Sequence, residues 1–349
     1  MQVSLGFGGS KALPPSAVTV GNFDGVHRGH QAMLDLLTSE ARHRGLPSCV
    51  LSFEPNPRDF FARLHGRPEA APQRISPLRD KLAELARCGI DHVVIKRFNR
   101  SFAQMSPQAF ISDVLQRGLQ TRYLLVGDDF CFGAQRAGNY AMLDAAGPAA
   151  GFDVARMQSY EVHGQRVSSS VVRAALAAGD MPQAAALLGR PYTISGHAIH
   201  GRKLGRELGF RTLNLRFAHP RPAASGIFVA RVHGLTPDPV PAVASLGVRP
   251  TVEDAGRVLL EVHCLHWPEA LGPEGGYGRC LQVELLHRLH EERKYESLQV
   301  LQAAIAEDTA QARAWHAAHG NDRGGALQPM KQPMKQPVKQ PMKQPTEQP

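Results

Sequence analysis

The chain has 349 residues, of which 43% are hydrophobic and 20% charged; this composition is typical of a globular protein, and the length favours about two domains. No run of about 18 apolar residues occurs, which excludes a transmembrane helix, and the N-terminus lacks the basic and apolar regions of a secretory signal. The five cysteines are scattered singly without a metal-binding spacing, so we expect reduced thiols and a cytoplasmic protein.

The first half of the sequence alternates short β-rich runs with helical stretches. Strands are predicted at Ala17–Val20, Ser48–Phe53, His92–Ile95 and Tyr123–Gly127. Helices are predicted at Gln31–Arg44, Ile75–Cys88 and Pro107–Arg117. Strand–helix alternation at this spacing predicts an α/β fold with a Rossmann-like, doubly wound parallel sheet. Such sheets bind ligands at the carboxyl ends of their strands.

The second half shows short alternating segments separated by turn residues, as expected of a small antiparallel β-barrel. These strands are predicted at Thr193–Ile199, Gly226–His233, Val240–Leu246, Val258–Leu265 and Cys280–Leu286. A terminal helix is predicted over Ser297–His316, with one face formed by Leu298, Leu301, Ile305 and Ala312. We therefore expect one domain over residues 1–186, a barrel domain over residues 187–318 and a tail over residues 319–349.

The tail repeats Met-Lys-Gln-Pro between residues 330 and 345, once with Val338 in place of Met. Proline at every fourth residue is incompatible with a helix, and this composition cannot form a core, so we expect the tail to be a disordered spacer. From Ala326 onward it holds four lysines and one glutamate, which supply +3 of the net charge of +9. A nucleic-acid or anionic-surface binder is the alternative, and its binding would depend on salt and vanish on truncation at Gly325.

The first chemical motif is Gly21-Asn22-Phe23-Asp24-Gly25-Val26-His27-Arg28-Gly29-His30, placed where a strand ends and a helix begins. Its three glycines allow the backbone to approach phosphates closely. His27 and His30 are three residues apart, so at a helix start they project to the same side, where each can offer a hydrogen bond or a positive charge to a phosphate. A metal pair is the alternative, but no third ligand of the HExxH type follows. The pattern indicates adenylyl or cytidylyl transfer.

Three further segments accompany this motif. They are Phe53-Glu54-Pro55-Asn56-Pro57, Val126-Gly127-Asp128-Asp129-Phe130-Cys131-Phe132-Gly133 and Val167-Ser168-Ser169-Ser170-Val171-Val172-Arg173. Together they resemble the prokaryotic bifunctional riboflavin kinase/FMN adenylyltransferase (FAD synthetase) family, over about residues 17–313. The resemblance implies that ATP and its phosphates are bound by Gly21, Phe23, Gly25, Gly29, Asp129, Ser168 and Ser169. It also implies that the catalytic residues of this module are His27, His30 and Arg173.

The implied reaction agrees with these residue types. The phosphate of FMN is already largely dianionic near neutral pH, so its attack on the α-phosphate of ATP needs no general base. It needs positioning and charge neutralisation, which the two histidines and Arg173 could supply together with Mg²⁺. The absence of a carboxylate pair from the motif fits this mechanism.

A second motif covers Gly196 to Leu215 and resembles the riboflavin kinase signature. Gly201 and Gly205 would let a loop fold over phosphates, and Thr212 and Asn214 alternate along a strand, so both face the same side. By resemblance, Thr212 and Asn214 hold Mg²⁺ and the ATP phosphates. A ribityl hydroxyl needs a base to become a nucleophile, and Glu261 matches the catalytic glutamate of the family.

The second module departs from the family pattern at a few positions. Arg211 stands in place of proline and Leu213 in place of alanine, which adds bulk between Thr212 and Asn214 and removes a fixed φ. His266 replaces an aspartate, His290 replaces an arginine, and the loop Pro268–Gly276 is enlarged. These departures leave a second hypothesis open: a monofunctional FMN adenylyltransferase with an impaired, flavin-binding kinase-like module.

The partners implied by the resemblance are ATP, riboflavin and FMN, with flavins as substrates and products; neither a nucleic acid nor a membrane is expected as a partner. An isoalloxazine ring stacks well on aromatic side chains. The candidates for flavin contacts are Phe23, Phe53, Phe130 and Phe132. The sequence leaves the oligomeric state and the transfer of FMN between modules open.

Overall fold

The computed structural model describes residues 1–7, 13–162, 164–200, 210–216, 221–248, 258–272 and 274–319. The tail from residue 320 onward, for which disorder was expected, and the glycines at positions 201 and 205 lie outside the described residues.

The first module is built on a six-stranded sheet whose strand order is β1-β4-β3-β2-β5-β6. All of its neighbouring strands run parallel. The strands are β1 (Gln2–Leu5), β2 (Ser16–Val20), β3 (Ser48–Glu54), β4 (His92–Arg97), β5 (Thr121–Gly127) and β6 (Asp153–Met157). The four predicted strands form the centre of this sheet, and the two edge strands were not predicted. Because the strand order reverses beside β2, the crevice between β2 and β5 is the expected ligand position.

Helices on the two faces of this sheet bury the strands. They are α1 (Arg28–His43), α2 (Pro57–Leu64), α3 (Leu78–Arg87), α4 (Arg100–Ala103), α5 (Pro107–Ala109) and α6 (Tyr140–Ala150). The predicted helix from Pro107 continues from α5 as a π-helical segment over Phe110–Gly118. The residues of β2 are completely buried, as expected for a central strand covered on both faces. A small hairpin, β7 (Glu161–Val162) and β8 (Gln165–Arg166), follows the sheet.

Two helices connect the sheet to the second module: α7 (Ser169–Ala178) and α8 (Met181–Leu188). Both end at glycines with left-handed backbone, Gly179 and Gly189. Side chains of α7 and α8 belong to the same buried cluster as the barrel interior. The expected division between residues 186 and 187 falls within α8 and stays a prediction.

The second module is a closed antiparallel barrel with the strand order β10-β13-β12-β11-β14-β9. Its strands are β9 (Tyr192–Ile199), β10 (Thr212–Arg216), β11 (Gly226–His233), β12 (Val240–Val248), β13 (Val258–Cys264) and β14 (Cys280–His290). Burial alternates along β13, so one face of this strand lines the barrel interior. The predicted fold class, a parallel α/β module followed by an antiparallel barrel, is confirmed.

The terminal helix α9 spans Leu298–His319. From the middle of the helix onward, His290 Nε2 is 2.8 Å from Asp308 Oδ1 and Arg313 Nη2 donates to the carbonyl of Leu265 at 2.7 Å. Ala312 is therefore buried, whereas Leu298 is 54% exposed. The predicted apolar face packs against the barrel at Ala312, whereas Leu298 at the start of the helix is exposed.

Candidate active sites

The two histidines of the first motif lie together at the start of α1. His27 is the N-cap residue, and its Nδ1 accepts a hydrogen bond from the backbone N–H of His30 at 3.3 Å. The two imidazole rings are stacked, with centroids 3.6 Å apart and an interplanar angle of 14°. Because α1 follows β2, the pair stands at the carboxyl end of the central strand and at a helix N-terminus, where anions are stabilised.

Burial keeps both imidazoles neutral. It lowers the pKa of His27 to about 4, against an opposing effect of Asp24, and it lowers the pKa of His30 well below the usual range, with His27 adding to the effect. Nδ1 of His30 is buried and makes no hydrogen bond within the described residues. Of the two roles that the sequence allowed, hydrogen-bond donation therefore fits neutral pH and a positive charge does not.

The glycines of the motif permit close approaches of backbone segments. A Cβ at Gly29 would lie 3.3 Å from the carbonyl oxygen of Val167, so this glycine brings α1 against the segment that precedes α7. Gly25 has φ +83°, and a Cβ there would lie 2.6 Å from Ile75 Cγ2. Phe23 and Val26 adopt positive φ values of 49° and 40°, a strained conformation of the kind that clusters at functional sites.

The side chain of Phe23 is 1% exposed and packs in the core of the first module. Its ring centroid lies 4.9 Å from that of His30. A Cβ at Gly21 would lie 3.0 Å from this ring. The phenyl ring therefore packs against His30, and Phe23 can contact ATP only through its backbone.

Asp24 joins the first motif to the segment from Val167 to Arg173. Asp24 is 1% exposed, and its carboxylate accepts hydrogen bonds from the backbone N–H groups of Ile75 and Ser76, both at 3.2 Å. It also accepts from Arg173 Nη2 at 2.6 Å. The hydroxyl of Ser169 donates to the carbonyl of Asp24 at 3.2 Å. Sequence reasoning missed this central role, although the aspartate lies inside the motif.

The other phosphate-binding candidates of the first module lie at the start of α7 and after the end of β5. Ser168 caps α7 by accepting a hydrogen bond from Val171 N–H at 3.4 Å, and Arg173 Nε donates to the carbonyl of Gln73 at 2.6 Å. Asp129 lies just after β5, where Arg166 Nη2 contacts its carboxylate at 3.2 Å. Ser169, Ser168 and Arg173 thus lie near the histidine pair, and Asp129 lies at the neighbouring strand end.

A buried lysine near this site was not found from the sequence. Lys81 on α3 is 1% exposed, and its Nζ donates to Ser52 Oγ at 3.4 Å. Burial lowers its pKa to about 8, with Arg74 adding to the effect and Glu54 opposing it. The positive charge of Lys81 in turn lowers the pKa of His30. Its position on an amphipathic helix gave no signal of this role.

Three of the four candidate flavin contacts lie in one aromatic cluster beside the sheet. Phe53 is T-shaped against Phe98 at 5.8 Å between centroids, and Phe130 stacks on Phe132 at 5.8 Å. These rings surround the ends of β3 and β5 and belong to one buried cluster with their neighbours. Phe23 packs in a different cluster.

The second candidate site lies on neighbouring barrel strands. Asn214 on β10 is directly opposite Glu261 on β13, and Thr212 is opposite His263. Asn214 is 4% exposed, and its Oδ1 has no hydrogen-bond partner within the described residues. Thr212, Asn214 and Glu261 are spaced so that they share the face opposite the barrel interior. The barrel thus brings the three candidates of the kinase motif together.

The side chain of Leu213 does not lie between the side chains of Thr212 and Asn214. Its side chain is completely buried in the barrel interior, because successive side chains of a strand point to opposite faces. The expectation that it adds bulk between these two residues was therefore wrong. His290 likewise has a structural role, since it contacts Asp308 of α9, while His266 is exposed on the surface.

The chemistry of the second donor set suits a magnesium ion. A hydroxyl, an amide oxygen and a carboxylate are hard oxygen ligands, and the unpartnered Oδ1 of Asn214 is one such oxygen. Among the described residues, no group of three or more histidine, cysteine, aspartate or glutamate side chains could hold a metal ion. Mg²⁺ in proteins usually keeps several water ligands and is bound together with substrate phosphates.

Comparisons with known proteins match both modules. The family model for FAD synthetase matches residues 10–171, and that for riboflavin kinase matches residues 188–316. The bifunctional riboflavin kinase/FMN adenylyltransferase of Escherichia coli K12 is 44% identical over 296 residues, covering 85% of this chain and 91% of the relative. The protein of the same description from Pseudomonas fluorescens is 43% identical over 296 residues with the same coverage.

A solved structure shares the architecture of both modules. The crystal structure of a macrolide-efflux protein from Streptococcus pneumoniae superposes with a TM-score of 0.72 at 25% identity, covering 90% of this chain and 98% of that one. In the described part of this chain, none of the helices combines the length and the apolar character that a membrane span requires. With both family models matched in order and the relatives similar over most of their length, this chain belongs to the bifunctional riboflavin kinase/FMN adenylyltransferase family.

Proposed function

We propose that this chain phosphorylates riboflavin to FMN in its barrel module and transfers an adenylyl group from ATP to FMN in its first module. The observation that carries this proposal is the presence of two separate phosphate-chemistry sites on one chain. One site contains the stacked His27–His30 pair, with Arg173 bonded to Asp24 of the same motif. The other contains the Asn214–Glu261 pair on the barrel. The match to both family models supports the bifunctional enzyme and gives no support to the monofunctional alternative.

In the first module, the attacking oxygen belongs to the phosphate of FMN and needs no base. The neutral imidazoles of His27 and His30 donate hydrogen bonds to the α-phosphate of ATP as charge develops on it, and the N-terminus of α1 adds its dipole. Arg173 supplies the cation; its bonds to Asp24 and Gln73 use two of the five N–H donors of a guanidinium. A P–O bond forms between the phosphate oxygen of FMN and the α-phosphorus of ATP, and pyrophosphate leaves.

In the second module, Glu261 takes the proton from the terminal ribityl hydroxyl, whose oxygen then attacks the γ-phosphate of ATP. The bond between the γ-phosphorus and the β-phosphate oxygen breaks, and ADP leaves. Thr212 and Asn214 would hold Mg²⁺ with the ATP phosphates, since their oxygens match its preference. The ion, when bound, neutralises charge on the transferred phosphoryl group. The cross-strand pairing of Asn214 with Glu261 keeps the phosphate-binding side chain next to the base.

Further parts of the proposal concern the flavin and the setting of the enzyme. Phe53, Phe130 and Phe132 are the candidate flavin contacts, because their cluster lies at strand ends of the first module and rings of this kind stack on isoalloxazine. Mg²⁺-bound ATP, riboflavin and FMN are the proposed partners. A cytoplasmic location is expected because scattered free cysteines are typical of a reducing compartment.

The test uses the purified full chain with ATP and Mg²⁺, and separates riboflavin, FMN and FAD chromatographically. The wild-type protein should convert riboflavin to FAD. Glu261→Gln should form FAD from supplied FMN but nothing from riboflavin, whereas His27→Ala should accumulate FMN. Formation of FAD from FMN, with no product from riboflavin in the wild type, would restore the monofunctional alternative.

A further inference from the structure

One segment of the barrel module contacts residues at two neighbouring strand ends. We name residues 267–272 and 274–277 the clamp segment. Tyr277 stacks on His200, the residue directly after β9, with ring centroids 3.9 Å apart. The guanidinium of Arg211, the residue directly before β10, lies over the ring of Trp267 at 3.4 Å from its centroid. The clamp segment therefore touches the chain on both sides of the β9–β10 connection.

Arg211 is held at this place by its side chain and by its backbone. Its Nη1 donates to the carbonyl of Gly272 at 3.3 Å, and Trp267 Nε1 donates to the same carbonyl at 3.0 Å. Nδ1 of His263 lies 2.8 Å from the carbonyl oxygen of Arg211. The Nδ1 of an imidazole can carry a proton, so this N–H can serve as the donor. The contacts fix both the guanidinium and the peptide group that precedes β10.

The contacts of Arg211 lie directly before the first residue of β10. Thr212 pairs with His263 of β13, and Asn214 pairs with Glu261 of β13 and with Ile199 of β9. Terminal residues of a strand fray more easily than central ones, because fewer hydrogen bonds oppose the backbone entropy. Contacts of Arg211 therefore restrain the part of β10 that is most prone to fraying.

We propose that Arg211 and Trp267 form a clamp that positions Thr212 and Asn214 for the kinase reaction. This inference rests on the proposed riboflavin kinase activity. The clamp segment follows β13, the strand that carries Glu261. Its contact with Arg211 therefore connects β13 to the start of β10, in addition to the hydrogen bonds between the two strands. Arg211 acts here as a positioning residue, and it restrains the backbone by its side-chain contacts where a proline would do so by its ring.

The first experiment measures both reactions of Arg211→Ala and Trp267→Ala in the full chain. Each variant should raise KM for ATP in the kinase reaction by about tenfold, because misplacement of a binding group by about 1 Å costs up to about 10²-fold. FMN adenylyl transfer should be unchanged and serves as an internal control. Trp315→Ala is the matched control, since Trp315 is the other tryptophan of the chain and stacks on His319 of α9.

The second experiment uses proline in place of the clamp. Arg211→Pro should keep kinase activity, and in this background Trp267→Ala should no longer raise KM for ATP. A purely stabilising role of Trp267 predicts instead that the loss persists in the double variant and follows the unfolding temperature. Direct binding of ATP by Arg211 predicts that Arg211→Pro is as impaired as Arg211→Ala. Either outcome overturns the clamp.

The clamp remains testable if the proposed function fails. In that case the wild-type protein forms no FMN from riboflavin, and binding of MgATP by calorimetry takes the place of kinetics. The variants are compared in a His27→Ala background, which removes one candidate ATP contact of the first module and is the same in every sample. Arg211→Ala and Trp267→Ala in that background should weaken binding equally, and unchanged binding in both would refute the clamp.

Discussion

The hydrogen bonds of Asp24 predict an asymmetry between two substitutions of one ion pair. Asp24 accepts from the N–H groups of Ile75 and Ser76 as well as from Arg173, and all of these contacts are at least partly buried. Arg173 keeps the carbonyl of Gln73 as a second partner and its side chain is 15% exposed, against 2% for that of Asp24. Replacing either residue by alanine removes the same ion pair but leaves different groups behind.

The expected losses of stability follow from those groups. Asp24→Ala leaves the guanidinium without its carboxylate and two buried backbone N–H groups without an acceptor, so it should lower the free energy of unfolding by about 4 kcal/mol, within the range for breaking a buried pair. Arg173→Ala leaves Asp24 with both backbone donors and should cost about 2 kcal/mol, near the value of one charged hydrogen bond. Asp24→Asn keeps an acceptor oxygen and should fall between the two.

The assay measures urea unfolding by circular dichroism, and FMN adenylyl transfer separately without urea, for the wild type and the three variants. Asp24→Ala should have the lowest midpoint, while Arg173→Ala should stay folded and lose about 10²- to 10³-fold in adenylyl transfer, as on removal of a group that stabilises the transition state. The kinase reaction reports on the second module in the same samples. A midpoint for Arg173→Ala at or below that of Asp24→Ala would refute the reasoning.

The other predictions concern pH, the base and the tail. The pKa of His27 is 6.5 in the unfolded chain and about 4 in the folded protein, so the free energy of unfolding falls as pH drops through this window. His27→Asn should reduce that loss by about 3 kcal/mol, measured from urea unfolding at pH 7 and pH 4. Glu261→Gln should slow riboflavin phosphorylation by about 10²- to 10⁴-fold, the range for a general base, with adenylyl transfer from supplied FMN as control. Truncation at Gly325 should leave the steady-state kinetics of both reactions unchanged, because the riboflavin kinase match ends at residue 316.

Each of these has a result that contradicts it. An acid-induced loss of stability in His27→Asn equal to that of the wild type would show that His27 is not the group responsible. Normal kinase turnover in Glu261→Gln would remove the base from the mechanism. Salt-dependent DNA binding by the full chain, lost on truncation at Gly325, would show that the tail binds nucleic acid.

Several features could be predicted from the sequence because they depend on local pattern. The alternation of apolar segments and turns predicted the central strands of the sheet and the barrel, and the glycine-rich motif predicted where a strand ends and α1 begins. The edge strands β1 and β6 were missed because they are short and less buried, so their side chains carry little apolar periodicity.

The sequence by itself determined which residue types are available: two histidines three apart, a serine pair before a helix, and a threonine and an asparagine two apart on a strand. Only the tertiary structure decided their chemical state. The pKa values of His27 and His30 depend on burial by distant segments, and the Asp24–Arg173 contact joins residues 149 positions apart. The same holds for the contact of Arg211 with Trp267, because packing brings together residues that no local pattern relates.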